Sequence, residues 1–235
     1  MRPIERGPIP LKKDGTDKVY TSYGNARRDL IERMGQYCAY CNQKLPASLA
    51  VEHVQPKVSN PHLKLEWTNF VLGCTNCNST KGKKEVNLEE YLWPDVHNTH
   101  VAFKYTSDGK IDVNPDLPTS LKTKAKNMLD LVGLQNYPNT PTASDRRWIN
   151  RKDAFIKAEM ALKLYEKAIS NGHDSAVQFE KVFGLWASDN GFFSIWMNVF
   201  KDYPSVKNEI IKSFTGTANN CFDKDFNPVY RTAEL

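Results

Sequence analysis

Two patterns of apolar spacing divide the chain. Between Gly35 and Gly109 the apolar residues come in short runs broken by Pro, Asn and Gly, whereas from Ser120 to Phe214 they recur at helical spacing. In the first region "LAVEHV" reads as a short strand, "QPKVSNPHL" as a loop and "WTNFVLGC" as a second strand, and "TNCNSTKGKK" opens a helix. Upstream, "YGNARRDLIERMG" sets Ala26, Leu30, Ile31 and Met34 near helical spacing and stops at Gly35. Downstream, "THVAFKYTSDGKIDV" predicts a hairpin turning at Asp108 and Gly109.

The helical region contains one long candidate, Asp145 to Ile169. Its Trp148, Phe155, Leu162 and Ile169 stand at seven-residue steps and are expected to form a packing stripe. Trp186, Phe192, Phe193, Trp196 and Phe200 make an aromatic stretch suited to a core or to a docking surface. The Pro- and Lys-rich residues 1–20 are expected to run extended over the surface, and the final "NNCFDKDFNPVYRTAEL" reads as an irregular tail. With a seam at Pro115 to Pro118, the pattern predicts an α+β chain of two units: residues 1–118 around the strands, and a mostly helical unit over 119–235.

Composition narrows the class. At 235 residues and 40% apolar the chain can bury a real core. The formal charge of +5 permits a polyanionic partner without requiring one. The N-terminal "MRPIERGPIPLKKDG" has no apolar leader region, and no segment approaches the roughly 20 apolar residues of a membrane span. The expectation is a soluble, cytoplasmic protein with no membrane partner.

Cysteine usage changes the picture more. Four of the five cysteines form two C-x-x-C pairs, Cys38 with Cys41 and Cys74 with Cys77, separated by 32 residues; Cys221 stands apart from both. Each pair can form a tight knuckle, and two knuckles brought together make a tetrahedral thiolate site for structural Zn²⁺ with no open coordination position. Chemistry in this segment must then come from other residues. Glu52 and His53 lie on the first strand, Asn78 follows the last thiol, and Lys81, Lys83 and Lys84 continue the helix as candidate contacts to a phosphate backbone.

"AVEHVQP", then "TNF", then "CTNCNSTKG" resembles the Cys-rich branch of the HNH (His-Me finger) endonucleases, from about Gly35 to Lys84. The resemblance implies a zinc-stabilised ββα finger. In it Glu52 and Asn78 ligate a catalytic divalent cation, His53 is the general base, and Asn69 braces the loop between the strands. Oxygen ligands of this kind suit Mg²⁺ or Mn²⁺. The acidic position holds Glu52 where many relatives have Asp. The opening "MRPIERGPIP", "WTNFVLGCTNCNSTKG" and "WPD" at Trp93 to Asp95 are also similar to the nuclease subunits of Septu-type and retron-associated anti-phage systems. That similarity implies an ATPase subunit as partner and a nucleic-acid substrate, DNA favoured over RNA.

A free-standing HNH endonuclease is one alternative. A zinc-knuckle module that binds without cutting is another, but it gives no reason for the order of Glu52, His53 and Asn78. The remaining histidines, His62, His97, His100 and His173, are expected at the surface. Arg27 and Arg28, and Arg146, Arg147 and Arg151, suit either phosphate tracking or a solvated basic face.

Overall fold

The computed structural model describes residues 1–137 and 145–231, without the side chains of 173–175. Helix α1 (Arg27–Met34) ends at Gly35, where the chain takes a φ of 72°. Strands β1 (Ala50–His53) and β2 (Phe70–Gly73) pair antiparallel in the register Ala50 with Gly73 through His53 with Phe70. Helix α2 (Thr75–Lys81) follows directly, with Cys74 as its N-cap. The expected ββα unit is therefore present. The first knuckle folds back at Asn42, a left-handed residue with φ 61°, so that Cys38 N–H donates to Gln43 C=O at 3.0 Å. It docks on the sheet through Ala39 N–H to Leu72 C=O at 2.8 Å.

A short helix α3 (Thr99–Ala102) leads into the hairpin β3 (Phe103–Tyr105) and β4 (Ile111–Val113), which turns where the Asp-Gly pair predicts. Among the described residues five helices follow: α4 (Thr119–Val132), α5 (Arg147–Ser170), α6 (His173–Asn190), α7 (Phe193–Val199) and α8 (Pro204–Ser213). Two buried clusters organise them. The first contains β1, β2 and the knuckles and continues through Met128, Leu129 and Val132 of α4 to Leu134. The second is built from α5 to α8 around Phe183, Phe193, Trp196, Phe200 and Phe214. The mixed α/β class with a helical C-terminal half matches the sequence pattern.

The structure corrects several expectations. Residues 1–4 are buried, not surface chain: Arg2 is 1% exposed and donates to Met34 C=O at 2.6 Å and to Thr215 C=O at 2.7 Å, tying α1 to the segment after α8. On α5 the buried face is Ala154, Ala158, Ala161, Tyr165 and Ala168, while Phe155 and Leu162 only flank it and Ile169 is 42% exposed. Small residues won that face because they let α6 and α7 approach closely. Gly184 on α6 repeats the device, since a Cβ there would lie 2.6 Å from the Glu209 carbonyl of α8.

Arg147 and Arg151 are buried, so neither belongs to a solvated or phosphate-tracking face; Arg27, Arg28 and Arg146 are exposed. His100 is 7% exposed and His97 is partly buried with Nδ1 accepting from Trp93 N–H, so of the expected surface histidines only His62 is placed there. The side chain of His173 lies outside the description. In the aromatic stretch Phe192, Phe193, Trp196 and Phe200 are core, whereas Trp186 is 49% exposed. Cys221 is buried.

Candidate active site and metal centre

The four paired cysteines converge. Their sulfurs all lie within 4.8 Å of one another, and all four side chains are buried. Cys41 Sγ and Cys74 Sγ are 3.8 Å apart, which is the edge of a tetrahedron whose centre sits about 2.3 Å from each sulfur, the usual zinc to thiolate distance. The donor set thus fits a closed, structural zinc. Cys74 serves twice, since its sulfur also accepts from Cys77 N–H at 3.4 Å and so starts α2.

That start fixes the next position. Asn78 occupies the first turn of α2, its N–H bonded to Cys74 C=O at 2.9 Å, and it lines the same cleft as Glu52 and His53. Gly73 gives these groups room: a Cβ there would lie 3.1 Å from Glu52 Cβ and 3.8 Å from Asn78 Cβ. The cleft, about 320 Å³, is also lined by Tyr23, Arg27, Pro56, Lys57, Lys81 and Lys83. Glu52 and Asn78 thus bring a carboxylate and an amide to one cleft, oxygen donors of the kind a hard divalent cation prefers.

His53 is oriented by three neighbours. Its ring stands edge-on to Tyr23 at 5.0 Å and to Phe70 at 5.3 Å between centroids. Its Nε2 lies 3.0 Å from Lys64 C=O. A carbonyl only accepts, so the imidazole proton sits on Nε2 and the Nδ1 lone pair is left to accept a proton. Burial, with Lys57, Lys81 and Lys64 nearby, holds the His53 pKa below the ordinary histidine value despite the favourable Lys64 carbonyl. The ring is consequently neutral at neutral pH.

Asn69 occupies the brace position: its Oδ1 accepts from Gln55 N–H at 2.7 Å, and its Nδ2 donates to Gln55 C=O at 3.0 Å and Leu63 C=O at 3.2 Å. Both ends of the loop between the strands are held by this one amide. The N-terminal segment adds a clamp outside β2, with Arg6 donating to Phe70 C=O at 3.0 Å and Trp67 Nε1–H donating to Gly7 C=O at 3.0 Å.

The three lysines separate. Lys83 and Lys84 are exposed, and Lys84 Nζ also reaches Leu131 C=O at 3.3 Å. Lys81 is 1% exposed and turns inward, its Nζ 2.9 Å from Glu52 Oε1 and 2.8 Å from His53 C=O. Desolvation raises the Glu52 pKa above the ordinary carboxylate value, and Lys81 opposes that rise. Lys81 is thus not the phosphate contact expected from the sequence, because β1 lies over α2 and draws its ammonium inward. Arg27, one of the arginines suited to phosphate tracking, does line the cleft, whereas Tyr23 and Lys57 had no sequence signal because they meet it only through the tertiary fold.

Comparison with known proteins agrees with this geometry. Residues 38–84 match the family model described as HNH endonuclease. Over 87 residues the chain is 32% identical to the Septu protein PtuB of Bacillus thuringiensis, a match covering 34% of this chain and 34% of that protein. The match therefore spans about a third of the relative's length. A cysteine knuckle, two antiparallel strands and a second knuckle whose first thiol caps a helix, in that order and with that match, mark residues 38–84 as an HNH endonuclease domain.

Proposed function

We propose that the chain is a metal-dependent endonuclease that hydrolyses phosphodiester bonds, and that it acts as the effector nuclease of an anti-phage defence complex with an ATPase subunit. The observation that carries the catalytic reading is His53, neutral, with its proton fixed on Nε2 by Lys64, in the same cleft as Glu52 and Asn78 and rimmed by basic residues. His53 takes a proton from water at Nδ1, and the water oxygen forms the new bond to phosphorus as the bond to the leaving oxygen breaks. Glu52 and Asn78 would hold a divalent cation, which when bound would supply electrostatic stabilisation of the phosphate and the leaving oxygen. Arg27, Lys57 and Lys83 line the cleft as cations for flanking phosphates, with Lys84 beside it. The four cysteines hold structural zinc.

The direct test is cleavage of plasmid DNA and of RNA by the purified chain, with Mg²⁺ or Mn²⁺ and with a chelator. Cutting that depends on the added cation is expected; cutting unchanged by the chelator would refute the metal-dependent reading. Lys81→Met removes the ammonium that holds both Glu52 and the His53 carbonyl, so cation affinity measured by Mn²⁺ titration should fall by roughly 10- to 100-fold. An unchanged isotherm would make Lys81 a packing residue only.

The defence reading is supported by the match to the Septu protein and by an unpartnered surface on the helical half. Met160 and Leu164 of α5 and Leu185 and Trp186 of α6 are 46% to 61% exposed and line or flank a groove of about 380 Å³. Such an apolar patch suits a protein contact. Co-expression with an ATPase encoded beside this gene should give a co-purifying complex, and Leu185→Glu with Trp186→Glu should abolish it without changing zinc content. Retention of the complex by the double variant would move the interface elsewhere.

A further inference from the structure

Cys77 has a neighbour from the other half of the chain. Arg147, the first residue of α5, is 3% exposed and donates through Nη1 to Cys77 Sγ at 2.9 Å and to Val132 C=O at 2.9 Å. Its Nη2 reaches Gly133 C=O at 2.7 Å, and its Nε lies 3.0 Å from both carboxylate oxygens of Asp145. One planar group thus touches the metal-site sulfur, the end of α4 and the segment entering α5. Burial works against its charge, yet Asp145 and Cys77 raise its pKa above the ordinary arginine value. Arg147 lies well outside residues 38–84.

We propose that Arg147 is an outer-shell donor to the zinc centre, so that the helical half completes a metal site whose four ligands all come from the HNH domain. The physical case is the sulfur's electron density. A thiolate that accepts an N–H bond holds its lone pairs more tightly, and a centre of four thiolates has excess negative charge that buried donors stabilise. The three carbonyl and sulfur contacts use the guanidinium fork in a way a single ammonium cannot reproduce. Zinc retention then depends on α5 being seated, and α5 is the helix that carries half of the exposed apolar groove.

The inference rests on the zinc reading, and the test separates the two. Zinc in the full-length protein is exchanged for Co²⁺, whose thiolate charge-transfer absorption reports directly on the sulfurs, and zinc release to a chelator is timed. Wild-type protein lacking a tetrahedral thiolate spectrum would refute the zinc reading itself. Given that spectrum, Arg147→Met should move the charge-transfer band to lower energy and speed zinc release by roughly 10- to 100-fold. Arg147→Lys should shift the band in the same direction and by less, and it decides the matter if the methionine variant does not fold. Asp145→Asn, which leaves the donor to sulfur in place, should lower the melting temperature without moving the band. An unmoved band and unchanged release in the soluble Arg147 variants would overturn the proposal and leave Arg147 a packing residue.

Discussion

Replacing His53 with alanine is expected to slow cleavage by roughly 10² to 10⁴-fold, the span over which a positioned general base contributes. Nucleic-acid binding should survive, because Arg27, Lys57, Lys83 and Lys84 are untouched. The imidazole is 6% exposed and packed against Tyr23 and Phe70, so the variant should also lose about 1 to 2 kcal/mol of stability. That modest loss cannot account for the rate. The pH profile adds a second readout. With the His53 pKa lowered by burial and nearby lysines, the neutral ring persists to lower pH, and the acid limb of cleavage should lie below the ordinary histidine value of about 6.5. Rates fall as pH drops through that limb, since the protonated ring has no lone pair to offer. A wild-type rate in the alanine variant, or an acid limb above 6.5, would place the base elsewhere.

How much of this was legible in the sequence depends on the range of the interaction. Local chemistry was readable: the C-x-x-C spacing predicts the thiol cluster, the Asp108-Gly109 pair predicts the hairpin turn, and Gly35 predicts the end of α1. The family resemblance singled out Glu52, His53, Asn69 and Asn78, of which Glu52, His53 and Asn78 line one cleft. Side chains whose partners are far along the chain were not readable. Lys81 looks like one of three surface lysines until β1 is placed over α2, and then its ammonium lies between Glu52 and the His53 carbonyl. Arg147 sits in a basic run, yet it is buried on Cys77, 70 residues away. Arg2 looks like part of an exposed basic leader and instead joins the ends of α1 and α8. The α5 stripe failed for a different reason: seven-residue spacing marked the large side chains, while close helix packing selected the alanines.

Serine at Cys38 or Cys74 is expected to unfold the ββα unit as well as abolish activity. The unit is small by any measure, two strands of four residues and a helix of seven. A two-stranded sheet and a helix of that length are each marginal alone in water. Structural zinc bound by thiolates supplies on the order of 10 to 16 kcal/mol, comparable with the whole net stability of a typical domain, about 5 to 15 kcal/mol. Losing one of four ligands removes a large part of that, and at Cys74 it also removes the sulfur that caps α2 and accepts from Cys77 N–H. The two metals should therefore separate cleanly in experiment. Dialysis against a mild chelator should strip the hard cation from Glu52 and Asn78 and stop cleavage, leaving about one zinc per chain and an unchanged circular dichroism spectrum. A thiol-reactive reagent should release the zinc and, with it, the cooperative melting transition of the first cluster, because β1, β2 and both knuckles share that core. Native protein without zinc, or a Cys38→Ser variant that melts as the wild type does, would mean that packing alone holds the sulfurs together and that the cluster is not a metal centre.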